Sequence, residues 1–142
     1  MFFFPLYDDN PTRRTPVVTW LLIAACVAVF VWQSSLDWQG ARASVYSFGV
    51  IPAVLFGYAD LPPELELVPP WASVVTSMFM HGGILHLGGN MLYLWIFGNN
   101  VEDSMGRGRF ALFYLICGAA AALAQGFAAP MSEIPMIGAS GA

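Results

Sequence analysis

The chain has 142 residues, of which 58% are hydrophobic and only 10% are charged, and its formal net charge is −4. An average soluble domain contains about 25% charged residues, so this chain has too few charged side chains to cover a water-exposed surface. The high hydrophobicity excludes a disordered segment, and the absence of lysine with a negative net charge argues against a nucleic-acid binder. The composition therefore predicts a single domain in a lipid bilayer.

The first long apolar run covers residues 17–33 and follows Arg13 and Arg14. A membrane-spanning helix needs about 20 mostly apolar residues, and this run is just long enough. We therefore predict a first span here, preceded by an N-terminal segment at residues 1–16. A secretory signal peptide is the alternative, because a basic stretch before an apolar run is also typical of one.

Residues 34–80 mix aromatic residues with prolines and acidic residues and show no helical periodicity. Aromatic rings with a polar edge prefer the membrane–water interface. The segment is therefore predicted to be a structured loop at the level of the lipid headgroups, in which the prolines between residues 62 and 70 prevent any helix.

Two further spans are predicted at residues 85–99 and 110–129, joined by a polar turn at residues 99–109. Another apolar stretch begins at residue 136, but seven residues cannot cross a bilayer. The predicted fold class is thus an all-α, polytopic membrane helix bundle with three spans and the start of a fourth. This membrane domain covers residues 17–142 and is expected to be incomplete at its C-terminus.

Small and polar residues on these spans have structural interpretations. In the third span, Gly118, Ala122 and Gly126 recur at every fourth residue and predict close helix packing. Glu102 is expected to cap the 99–109 turn or to form an ion pair there. The two cysteines, Cys26 and Cys117, are expected to be small buried side chains rather than a disulfide or a metal site.

Four of the arginines predict the orientation of the chain in the membrane. Arg13 and Arg14 precede the first span, and Arg107 and Arg109 lie between the second and third spans. The positive-inside rule places both groups on the cytoplasmic side. The second and fourth spans then begin at the opposite face, so two polar clusters that are distant in sequence are expected at one depth.

The first polar cluster contains His81, His86 and Asn90. His86 and Asn90 are about 40° apart on a helix and share a face. Polar side chains in a membrane segment are candidates for function, although this pair could also serve only as a hydrogen-bonded link between helices. His81 would lie about 140° from His86 on a continuous helix, and no carboxylate or cysteine completes a ligand set, so no metal site is expected.

The second polar cluster is Gly138-Ala139-Ser140-Gly141. The small neighbours leave the hydroxyl of Ser140 uncrowded and allow another backbone to approach closely. An amide close to the start of a helix is a free donor that can point at developing negative charge. The same string also occurs as an ordinary surface for helix packing, so this cluster alone is a weak signal.

Together, the order and spacing of these motifs resemble the rhomboid family of intramembrane serine proteases. The resemblance implies a six-helix membrane core that cleaves transmembrane substrate proteins in or near the bilayer, without a metal or an organic cofactor. By position in the motifs, Ser140 would be the nucleophile, His86 and Asn90 would stabilise the oxyanion, and His81 would have a supporting role. The matching stretches are residues 48–53, 76–83, 86–91, 97–103 and 137–142.

The family's general base is a histidine on the sixth span, whereas this chain has only His81 and His86. We therefore expect a fragment of a longer intramembrane serine endopeptidase, inactive alone, in which the base lies beyond this chain. A non-catalytic pseudoprotease that binds membrane-protein clients is the alternative. A transporter is less well supported, because the second span has no ionisable residue between His86 and Glu102. The expected location is a multi-pass integral membrane protein with a cytoplasmic N-terminus, in the plasma or inner membrane if the source is bacterial.

Overall fold

The computed structural model describes Pro11 and residues 13–142, so the rest of the predicted cytoplasmic segment lies outside the described residues. These residues contain no β-strand, and a single antiparallel bridge joins Val50 to Met136. The predicted all-α class is therefore confirmed for this part of the chain. The helices are α1 (Val17–Ser35), α2 (Trp38–Phe48), α3 (Pro52–Leu55), α4 (Pro70–Thr76), α5 (Ile84–Tyr93), α6 (Asn99–Met105) and α7 (Arg107–Ala128), with 3₁₀ turns at Ser77–Phe79 and Ala139–Gly141.

Among the described residues, α1 and α7 are the two helices that are long and apolar enough to cross a membrane. α1 buries Thr19, Cys26 and Gln33, which follow one another at seven-residue intervals and so lie on one narrow face. Its large apolar side chains point outward instead, and Leu21 and Val31 are each 62% exposed. A helix of a soluble protein buries its apolar face, so this reversed pattern indicates contact with lipid.

The second predicted span is continuous with the residues that follow it. α5 passes through a π-helical turn at Leu94–Gly98 into α6, and this helical backbone extends over roughly 33 Å. The prediction of a polar turn over residues 99–109 is therefore wrong for residues 99–105. The chain reverses at Gly106 instead, where the φ of 86° favours glycine. That α5 and α6 together cross the bilayer remains a prediction.

The carboxylate of Glu102 contacts the first helix, and Glu102 does not lie in a turn. Its buried carboxylate accepts hydrogen bonds from the amides of Val18 (3.0 Å) and Thr19 (2.8 Å) and from the hydroxyl of Thr19 (2.8 Å). Nε of Arg107 lies 4.0 Å from the same carboxylate. The expected cap and ion pair are thus both present, but the capped element is α1, whose amide dipoles favour a negative charge at that end.

Residues 34–80 are more helical than predicted, because they contain α2, α3 and α4. Asp37 caps α2 by accepting a 2.7 Å hydrogen bond from the amide of Gly40. Pro52 and Pro70 each occupy the first position of a helix, where the missing amide hydrogen costs nothing. The prediction that the prolines between residues 62 and 70 prevent any helix is therefore wrong for Pro70, which begins α4, whereas Pro62, Pro63 and Pro69 do lie outside any helix.

The glycines of α7 allow close packing, as predicted. A Cβ atom at Gly118 would lie 2.5 Å from the sulfur of Met78, and one at Gly126 would lie 3.1 Å from the ring of Phe56. Met78 belongs to the buried cluster that joins α4, α7 and the residues before α3. Both cysteines are free; Cys26 is buried as expected, whereas Cys117 is only partly buried.

Candidate active site

The segment that follows α7 is held by backbone hydrogen bonds to the residues around α3. Val50 and Met136 exchange two such bonds, of 3.0 and 2.7 Å, and the amide of Ala53 donates to the carbonyl of Ser132 at 3.0 Å. The amide of Gly138 then donates to the carbonyl of Ser77 at 2.8 Å. These bonds lead the chain away from α7 and position Gly138 beside the beginning of α5.

Gly138 is the point at which the two predicted polar clusters meet. A Cβ atom at this position would lie 2.7 Å from Nε2 of His86 and 3.6 Å from Nδ2 of Asn90. The φ of Gly138 is 124°, which side chains of L-residues rarely adopt. Glycine is therefore required at position 138 for two reasons. The backbone angle disfavours an L side chain, and two side chains already converge on the space that a Cβ atom would occupy.

The donors of α5 that point to this space are available for a hydrogen bond. The amide of Gly82 donates to Nδ1 of His86 at 3.4 Å. A neutral imidazole that accepts at Nδ1 carries its proton on Nε2, so Nε2 is a donor. Nδ2 of Asn90 is buried and has no hydrogen-bond partner among the described residues. Two N–H groups are thus directed at one region beside Gly138.

His81 is close to His86, contrary to the sequence analysis. It precedes α5, so the angle expected for a continuous helix does not apply, and the two rings are 5.2 Å apart in an edge-to-face arrangement. The imidazole of His81 is buried, with Nδ1 3.3 Å from the carbonyl of Phe79 and Nε2 3.5 Å from the amide of Ala139. A single tautomer, protonated at Nδ1, satisfies both contacts. No group of three or more His, Cys, Asp or Glu side chains suited to a metal ion occurs among the described residues.

Gln33 is a residue of this region that the sequence analysis missed. Its buried side chain accepts a 3.2 Å hydrogen bond, through Oε1, from the backbone amide of His81. The available signal was a single amide side chain near the end of an otherwise apolar run. Because polar groups are expensive in such a run, Gln33 could have been expected to face a protein partner.

Ser140 lies in the 3₁₀ turn Ala139–Gly141 and is exposed. It lines a cavity of about 490 Å³ between this turn and α7, which His86 and Asn90 do not line. A Cβ atom at Gly141 would lie 2.5 Å from Cβ of Ala121, so glycine lets the turn approach α7. Ser140 follows Gly138 by two residues, which limits the separation of their Cα atoms to roughly 7 Å.

The sequence comparisons identify the family of this chain. Residues 69–142, from α4 to the turn that carries Ser140, match the family model described as the Rhomboid domain. The chain is 31% identical over 127 residues to the rhomboid protease GluP of Bacillus subtilis, an alignment that covers 89% of this chain and 22% of that protein. It is 38% identical over 74 residues to the chloroplastic rhomboid-like protein 11 of Arabidopsis thaliana, covering 52% of this chain and 26% of that protein.

A third relative is the rhomboid protease GlpG of Klebsiella pneumoniae, which is 27% identical over 135 residues, covering 95% of this chain and 42% of that protein. The chain thus spans between 22% and 42% of the length of these relatives. No solved structure matches the chain. The family model and the relatives show that the chain belongs to the rhomboid family, whose members are integral membrane proteins.

Proposed function

We propose that this chain supplies the nucleophile and the oxyanion-stabilising groups of an intramembrane serine endopeptidase that cleaves transmembrane proteins. The observation that carries this proposal is the convergence of His86 and Asn90 on Gly138, two residues before Ser140. The relatives that are named as rhomboid proteases support the same reaction class. Lipid and transmembrane substrates are accordingly the proposed partners.

In this mechanism, the hydroxyl of Ser140 attacks the carbonyl carbon of the scissile peptide bond. The negative charge that develops on the carbonyl oxygen is stabilised by Nε2 of His86, Nδ2 of Asn90 and the backbone amide of Ser140. The side-chain Nδ2 of Asn90, which has no hydrogen-bond partner in the described part of the chain, fits this role, because leaving a buried donor without an acceptor costs about 1–3 kcal/mol. An oxyanion would supply that acceptor, and a donor that is already in position needs no rearrangement during the reaction.

Neither histidine of the chain is suited to be the general base that a serine nucleophile requires. Nδ1 of His86 accepts from Gly82, and Nε2 is proposed as a donor. Both ring nitrogens of buried His81 contact backbone groups. We therefore assign the base to a histidine outside residues 1–142, which forms a dyad with Ser140, and we expect the chain by itself to be inactive.

The proposed topology is a multi-pass membrane domain over residues 17–142, with residues 34–80 at the interface and residues 1–16 in the cytoplasm. Contacts between distant arginine-rich segments support it. The amide of Arg13 donates to Asp103 at 3.0 Å, and Nη2 of Arg107 donates to the carbonyl of Thr15 at 3.4 Å. The start of α1 and the α6–α7 turn therefore lie at the same end of the bundle, where the positive-inside rule predicts the cytoplasm.

The test uses the protein expressed from its native gene, together with a reporter that has one transmembrane segment. Ser140→Ala is expected to abolish cleavage and to leave membrane insertion unchanged. Ser104→Ala is the matched control. Ser104 is exposed on α6, at the far end of the continuous helical segment whose first part, α5, carries Asn90. Cleavage by Ser140→Ala at the wild-type rate would overturn the proposal. Reporter binding without cleavage by the wild-type protein would favour the pseudoprotease instead.

A further inference from the structure

A cavity of about 830 Å³ lies between α2, residues 59–65 and the segment that follows α7. It is distinct from the cavity that Ser140 lines, because the two share no lining residue. α2 begins three residues after the end of α1, so the cavity adjoins the end of a membrane-spanning helix. Trp38, at its rim, is 79% exposed, as is typical of an aromatic side chain at the membrane–water interface.

The wall of this cavity combines apolar surface with three separate charges. Arg42 lies on α2, Asp60 lies on the segment after α3, and Glu133 lies on the segment after α7. The guanidinium of Arg42 is 5.9 Å from the centre of the Tyr46 ring. No ion pair within 4.0 Å joins Arg42 to either carboxylate, although all three residues are described. The apolar part of the lining includes Ile51, Val54, Leu61, Leu65 and Ile134.

We propose that this cavity binds the headgroup of a zwitterionic phospholipid with a primary ammonium, of the phosphatidylethanolamine class. Arg42 would bind the phosphate, because a guanidinium offers several N–H donors in a geometry that suits phosphate oxygens. Asp60 and Glu133 would accept hydrogen bonds from the ammonium group. Two carboxylates and one guanidinium give the lining a formal charge of −1, which disfavours a lipid with a net negative charge.

The position of Glu133 and Ile134 makes this site a support for the segment that carries Ser140. The two residues lie between Ser132, which bonds to Ala53, and Met136, which bonds to Val50. A lipid bound to Glu133 would hold this segment against α2. Any consequence for cleavage rests on the proposed function, whereas lipid binding itself does not involve Ser140.

The experiment is a titration of the delipidated full chain in detergent with short-chain phosphatidylethanolamine, phosphatidylcholine or phosphatidylglycerol, followed by native mass spectrometry. Since exposed ion pairs contribute up to about 1 kcal/mol, phosphatidylethanolamine is expected to bind about fivefold more tightly than either other lipid. Arg42→Gln is expected to lose about the same factor. Arg109→Gln, which removes an exposed arginine at the start of α7, is the matched control and is expected to bind like wild type.

The double variant Asp60→Asn/Glu133→Gln is expected to lose the preference for phosphatidylethanolamine and keeps the proposal testable if Arg42→Gln does not fold. Ser140→Ala is expected to retain lipid binding, so a failure of the proposed protease function can be distinguished from a failure of the proposed lipid binding. Equal binding of the three lipids, a preference for phosphatidylglycerol, or equal affinities of Arg42→Gln and Arg109→Gln would overturn the proposal.

Discussion

The side chain of Gln33 holds the backbone amide of His81 through a 3.2 Å hydrogen bond that links the end of α1 to the residues before α5. The imidazole of His81 in turn lies 3.5 Å from the amide of Ala139. The first helix therefore reaches the turn of Ser140 through two successive contacts. This relationship gives α1 a part in positioning the candidate site, although it contributes no proposed catalytic group.

Replacing Gln33 by leucine is expected to destabilise the protein. The amide of His81 would remain buried without an acceptor, which costs about 1–3 kcal/mol. The measurement is thermal unfolding in detergent, combined with the rate of reporter cleavage below the unfolding temperature. Ser34→Ala, at the adjacent exposed position, is the control and is expected to change stability by less than about 0.5 kcal/mol. Equal melting temperatures of Gln33→Leu and Ser34→Ala would contradict this prediction.

Gly138→Ala is expected to abolish cleavage, because the new methyl group would lie 2.7 Å from Nε2 of His86. Gly57→Ala is the matched control. Gly57 also has a positive φ, of 76°, but a Cβ atom there would contact nothing within 4 Å. Both variants place a Cβ atom at a positive φ, which costs about 1–3 kcal/mol, whereas only Gly138→Ala also displaces His86. Comparable activity of the two variants at a temperature where both are folded would refute the proposed role of this space.

His86→Ala and Asn90→Ala are each expected to lower kcat by about 10²–10³-fold with little change in KM, because an oxyanion donor acts mainly in the transition state. Asn90→Asp keeps the size of the side chain but replaces the donor with a carboxylate, so a larger loss is expected. Asn99→Ala, at the beginning of α6, is the control. A rise in KM at constant kcat would instead assign His86 and Asn90 to substrate binding.

Local spacing was sufficient to predict several parts of this structure. The interval between His86 and Asn90 predicted a shared helical face, and both side chains are directed at Gly138. The four-residue repeat of small residues predicted the close contacts at Gly118 and Gly126. Such patterns depend on the geometry of one helix, so they are visible in the sequence.

Features that depend on contacts between distant residues were not predictable in this way. The polar residues of 99–105 indicated a turn. The carboxylate of Glu102 instead caps the start of α1 by accepting a hydrogen bond from the amide of Thr19, which is 83 residues earlier in the sequence. The position of His81 beside His86 depends on the extended backbone at Gly83, and no helical angle describes it. The bond between Gln33 and His81 likewise joins residues 48 positions apart.

Glu102→Gln is expected to destabilise the fold without changing the chemistry of the candidate site. The carboxylate of Glu102 accepts from two amides and one hydroxyl at the start of α1, and it is 2% exposed. Glutamine keeps the volume but removes the negative charge and directs an NH₂ group at donors that it cannot satisfy. We expect a loss of about 1.5–3 kcal/mol, measured by thermal unfolding in detergent.

Asp103→Asn is the matched control for Glu102→Gln, because Asp103 is adjacent, less buried, and accepts one exposed hydrogen bond from the amide of Arg13. Its loss is expected to stay below about 1 kcal/mol. Salt should reduce the contribution of Asp103 more than that of Glu102, because ions screen exposed charges more effectively than buried ones. Equal losses in the two variants at low and high salt would show that the capping of α1 by Glu102 contributes no more to stability than a surface contact.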